Sequence, residues 1–163
     1  MAVPTIPSRG EMEYHGKNTF NTQHMTLNYL AIIVATVVQF IIGAVWYMPL
    51  FGGAWRKIHG FDDLSKEDQG KAQKEMMQYL GVQFVTTLIT TFVLALFIAG
   101  LPSEWNAYGI AGFFWLGFVV PTQIPAIMFG GTKKEWMVKK ALIMAGASLC
   151  CLLAAAAILQ MMR

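Results

Sequence analysis

Four stretches of this chain run without an ionisable side chain: Met25 to Trp55 (31 residues), Met76 to Ser103 (28), Trp105 to Thr132 (28) and Ala141 to Met162 (22). A helix needs about 20 apolar residues to cross the hydrocarbon core of a bilayer, and every run is longer than that. Together they take 109 of the 163 positions, so too little remains to build a separate water-soluble core. Charged residues make up 13% of the chain, against about 25% in a soluble domain. Soluble enzyme, disordered regulator and nucleic-acid binder are thereby excluded. The net charge of +3 is also too small and dispersed for a nucleic-acid footprint.

A helix satisfies its own backbone in lipid, and the runs are too long and too little alternating for barrel strands. The expected fold is all-α, an integral membrane four-helix bundle over residues 25–163, with spans near 27–48, 79–101, 108–129 and 141–162. Residues 1–24, with Pro4, Pro7, Gly10, Gly16 and mixed charges, have no apolar core and read as a flexible N-terminal tail and not as a signal peptide.

Orientation follows from the basic residues. With alternating spans, Arg9, Lys17 and Arg163 share one side; Arg56, Lys57, Lys66, Lys71, Lys74, Lys133, Lys134, Lys139 and Lys140 share the other. Nine against three places the connections 49–78 and 130–140 in the cytoplasm and both termini outside, in one fixed orientation. Ser65, three residues before Asp68, suits the N-cap of a polar helix over Lys66 to Gln78 that runs into the second span. Five basic and five acidic residues cancel in that connection, so it is not expected to bind anionic lipid strongly. It reads as a solvated helix extension, with partner docking as the rival.

An internal echo joins the first and third spans. Phe51-Gly52-Gly53 is followed by Trp55, Arg56 and Lys57, and Phe129-Gly130-Gly131 by Lys133, Lys134 and Trp136. The match admits two helical hairpins in a parallel repeat, or a chance recurrence of glycine-rich helix ends with aromatic-basic anchors.

No Asp, Glu, Lys, Arg or His falls within a span, which removes the usual materials of proton relays and charged-substrate sites. Cys150 and Cys151 are adjacent, form no Cys-x-x-Cys pair and read as packing residues. His15, His24 and His59 are expected outside the bilayer, and His59 as a loop residue. No catalytic residue, metal site or cofactor is expected.

Uncharged polarity remains. Gln83, Thr86, Thr87, Thr90 and Thr91 recur at spacings of three and four, which gathers them on one helix face. Pro121 and Pro125 leave the carbonyls of Gly117 and Pro121 without their usual donors, so the third span should bend or loosen there. Gln39, Gln83, Thr87, Thr90, Gly117, Pro121, Thr122, Gln123 and Pro125 thus form a candidate polar pocket. It reads either as a path for a solute or ion, or as interhelical hydrogen bonding around a kink. In the fourth span Gly146, Cys150 and Ala154, and beside them Ala147, Cys151 and Ala155, recur every four residues as candidate helix-packing faces.

Two elements carry a resemblance. Gly43-Ala44-Val45-Trp46-Tyr47-Met48-Pro49 continues through Phe51, Gly52 and Trp55, and Trp115 to Thr122 forms the second. From about Leu27 to Gln160 the chain resembles small bacterial membrane proteins filed as a domain of unknown function, number seventeen sixty-one. The resemblance implies four helices and a bacterial cytoplasmic membrane, with no reaction or ligand. The expected function is non-enzymatic assembly in the bilayer, as a homo-oligomer or as a subunit of a larger membrane complex. The alternative is a small channel or carrier for an uncharged solute or weakly held ion.

Overall fold

A computed structural model describes residues 26–102 and 104–163; the N-terminal tail with His15 and His24, and Ser103, lie outside the described residues. Helix α1 (Tyr29–Val45) begins at Asn28, whose Oδ1 accepts from the Ala31 N–H at 3.1 Å. It ends in a π turn, Trp46–Leu50, that contains Pro49. Pro49 brings no N–H, so the helical ladder cannot continue unchanged, and the Trp46 carbonyl accepts from Phe51 N five residues on at 2.9 Å. Short helix α2 (Gly52–Ile58) and a 3₁₀ turn (Phe61–Asp63) lead to α3 (Lys66–Gly100). The third span consists of α4 (Ala107–Phe114), a second π turn (Trp115–Val119) and α5 (Val120–Phe129); α6 (Lys134–Met161) follows. Tyr29–Leu50, Lys66–Gly100, Ala107–Phe129 and Lys134–Met161 are each long and apolar enough to cross a membrane.

Ser65 caps α3 as its spacing predicts: its Oγ accepts from Asp68 N at 3.2 Å, with Glu67 and Asp68 in the first turn. The 35 residues of α3 extend about 52 Å at 1.5 Å each, well beyond a core of about 30 Å. Its polar start therefore projects from the bilayer as a continuation of the second span.

Helix α6 is the hub. It packs along α1 and also against α4, α5 and α3. The buried core lies toward one end, where Ala31, Ile32 and Ala35 of α1 meet Leu94, Ala95 and Ile98 of α3, Ala107, Ile110 and Ala111 of α4, and Leu152, Ala155, Ala156 and Leu159 of α6. Alanines let the backbones approach closely, which matters in lipid because apolar surface alone gives little reason for helices to associate. Toward the other end the bundle opens. Every position of α3 from 73 to 83 is exposed, and α3 and α5 are not a packed pair.

The two Phe-Gly-Gly triplets fold differently. Gly52 and Gly53 start α2, whereas Gly130 and Gly131 form the turn after α5. Gly131 has φ +73°, a conformation open to glycine, and a Cβ at Gly130 would lie 2.3 Å from the Ala126 carbonyl oxygen. The stronger echo lies just before them: each of these spans contains a π turn opened by a tryptophan, and a proline lies inside or soon after it.

Candidate functional site

The tryptophans that open the π turns reach the same helix. Trp46 Nε1 donates to the Ile143 carbonyl at 3.0 Å, and Trp115 Nε1 to the Ala145 carbonyl at 2.8 Å. Two residues of α-helix turn through about 200°, so the indoles grip α6 from nearly opposite sides. A buried indole N–H needs an acceptor, and a helix carbonyl has a second lone pair to offer. Thr122 closes the loosened ladder of the third span, its hydroxyl lying 2.8 Å from the Phe118 carbonyl and 2.9 Å from that of Val119. The loosening expected from Pro121 and Pro125 is thus accompanied by a π turn ahead of them and hydroxyl bonding beside them.

The candidate polar residues separate into three places. Gln39 is buried, and its Nε2 donates to Thr91 Oγ1 of α3 at 2.6 Å and to the Ala35 carbonyl at 3.2 Å. Thr91 Oγ1 donates in turn to the Thr87 carbonyl at 2.7 Å, and the Cys151 thiol approaches the Gln39 carbonyl at 3.6 Å. This chain of bonds ties α1, α3 and α6 together.

Gln83 lies elsewhere, on the exposed length of α3. Its Nε2 reaches Thr87 Oγ1 of the same helix at 3.3 Å, while the hydroxyls of Thr86 and Thr87 bond back to the Gln83 carbonyl. Thr90 does the same to the Thr86 carbonyl at 2.9 Å. Met76, Tyr79, Gln83, Thr86 and Thr90 are all exposed and alternate by three and four residues, the spacing of a helix-pairing seam. Gln83 stands eight residues beyond Glu75, about 12 Å farther along the helix and inside the apolar run.

Gln123 occupies the third place, on α5. Its Oε1 is buried and has no hydrogen-bond partner. Gly117, Pro121, Thr122 and Pro125 are exposed on the same span, and nothing lies within 4 Å of where a Gly117 Cβ would stand. Gln83 and Gln123 are therefore not brought together. A cavity of about 310 Å³ opens at the core end beside Asn28, Ala95, Leu159 and Arg163; no candidate pocket residue lines it.

On α6, Gly146 faces Trp46: a Cβ there would stand 3.0 Å from the ring carbon Cζ2. Cys150 is exposed and Ala154 half-buried, whereas in the neighbouring row Ala147 and Ala155 are buried and Cys151 is half-buried. The row beginning at Ala147 is the more deeply packed.

Where α2 meets the start of α6, aromatic and basic side chains collect. The Trp55 ring stands 4.7 Å from that of Tyr47 and 4.2 Å from that of His59, and Lys140 Nζ lies 5.8 Å from the Trp55 centroid. His59 caps α2, with its Nδ1 2.9 Å from the Trp55 carbonyl. Among the described residues no three His, Cys, Asp or Glu side chains are grouped to hold a metal.

Gln39 and Thr91 stand out in the sequence one by one but not as partners, and the indole bonds do not stand out at all. The recurrence of Trp with a following Pro was the available signal for the latter. No curated protein and no solved structure matches the chain. The match that does exist covers residues 30–160, from the first span to the end of the fourth, and by it the chain belongs to the family described as Protein of unknown function (DUF1761).

Proposed function

We propose that this multi-pass membrane protein works by assembly and without catalysis, pairing the exposed length of α3 with the same helix of a second copy. The observation that carries the reading is Gln83, an amide held inside the apolar run on a face its own bundle leaves bare. In hydrocarbon its unused donor and acceptor are costly, and a neighbouring helix is the natural source of partners. An amide is donor and acceptor at once, so it is complementary to itself. Two copies inserted the same way present Gln83 at equal depth on parallel helices. The nine-to-three basic count supports an orientation with both long connections inside and the termini outside, and the family resemblance suggests a bacterial cytoplasmic membrane.

Native mass measurement of the chain extracted in mild detergent tests the reading. A homo-oligomer that Gln83→Leu dissociates is expected. A monomer overturns it, and a mass containing a different protein replaces it with the larger-complex alternative.

A conduit is the second reading, favoured by the unpartnered Gln123 Oε1 beside the proline-broken segment. Equal water, ion and small-solute flux through reconstituted wild type and Gln123→Leu would remove it.

A further inference from the structure

We propose that the corner where α2 meets the start of α6 binds the anionic headgroup of a phospholipid, with Lys140 at its centre and Lys133 and Lys134 beside it. Lys140 is half-buried and held in place from two sides. Its Nζ lies over the Trp55 ring at 5.8 Å and donates to Thr132 Oγ1 at 3.3 Å, so the side chain reaches back along α6 to the level of Lys133. The residues flanking these contacts are themselves basic: Arg56 and Lys57 follow Trp55, and Lys133 and Lys134 follow Thr132.

Of the five acids that balance the first connection in sequence, three are held in ion pairs, one of them at this corner. Asp62 pairs with Arg56, while Glu67 and Asp68 pair with Lys71 on the projecting start of α3. Glu135 is the one acid between residues 130 and 140, against four lysines, of which Lys139 lies over Trp136 at 5.4 Å. Among the described residues no carboxylate pairs with Lys57, Lys133, Lys134 or Lys140. The cancellation expected from counting the first connection therefore reaches Arg56 at this corner but not these four lysines.

Depth selects the ligand. Trp55, five residues past the first span, and Trp136, in the first turn of α6, flank the lysines at the ends of apolar spans, where amphipathic rings sit at headgroup level. A fixed cation at that level, with an aromatic wall on one side and exposed lysines on the other, is complementary to a phosphodiester whose acyl chains enter the adjacent hydrocarbon. Near an anionic surface each lysine is worth roughly a fivefold change in binding.

The full chain in mild detergent is the material for the test, titrated with phosphatidylglycerol or phosphatidylcholine of identical acyl chains and read as retained adducts by native mass spectrometry. Preferential retention of phosphatidylglycerol is expected, falling at least tenfold in Lys133→Gln/Lys140→Gln. Lys71→Gln/Lys74→Gln removes the same charge on α3 and should leave retention unchanged. Lys133→Gln/Lys134→Gln, exposed positions on the turn and first residue of α6, carries the test if the Lys140 variant does not fold. Equal retention of the two lipids, or equal loss in the α3 control, overturns the proposal. Competition by millimolar inorganic phosphate as effective as by the lipid would reassign the corner to free phosphate and overturn the lipid site.

Discussion

The Trp46 ring lies across Gly146: a Cβ at the glycine would stand 3.0 Å from Cζ2, while the indole N–H donates to the Ile143 carbonyl one turn earlier at 3.0 Å. The missing side chain and the hydrogen bond thus serve one contact. Gly146→Leu drives bulk into a ring held by its own bond, and the expected cost is about 1 to 3 kcal/mol. Trp46→Phe replaces the fused indole by a single ring, losing both the N–H bond and packing over Gly146, and the expected cost is about 1 to 3 kcal/mol. Thermal unfolding in detergent checks both. Unchanged stability in Gly146→Leu would mean that this face of α6 does not carry the first span.

The Gln39–Thr91 bond at 2.6 Å predicts a coupling that single changes do not reveal. A double-mutant cycle of Gln39→Leu and Thr91→Val should return an interaction of about 0.6 kcal/mol, up to about 1.7, as for other hydrogen bonds between membrane helices. Additive losses would contradict the link between α1 and α3.

How much of this was legible depends on where each residue's partners lie in sequence. Ser65 and Asp68 are three residues apart, so the cap and the continuous helix beyond it could be read directly, as could the four spans from their unbroken apolar runs. The Gln-Thr stripe was equally local, and its hydroxyls do bond within α3. Whether a stripe points inward or outward depends on which helices are neighbours. Gln83 faces away because α3 leaves the bundle toward its polar start, and its spacing to the threonines carries no information about its separation from Gln123. The π turns were half legible. A proline removes a donor, but the acceptor that settles the turn belongs to the backbone five residues earlier, and the indoles that fix it end on α6, far along the chain.

Topology predicts opposite labelling of two connections. With Cys150 and Cys151 replaced by alanine, Ser65→Cys should react with a membrane-impermeant thiol reagent only from the cytoplasmic side, and Glu104→Cys only from outside. Labelling of both from one side would contradict the alternating spans, and the reversed pattern would contradict the nine-to-three orientation.

Assembly as proposed brings α3 of one copy against α3 of another along Met76, Tyr79, Gln83, Thr86 and Thr90. Its most direct test is a single-cysteine scan of residues 76 to 90 in native membranes, in the background lacking Cys150 and Cys151, with oxidative cross-linking as the readout. Cross-linked dimer should peak at 76, 79, 83, 86 and 90, the three-and-four rhythm of a helix seam, and fall at 82, 85 and 89 on the other faces. Dimer formed equally at every position, or at none, would contradict pairing through this seam.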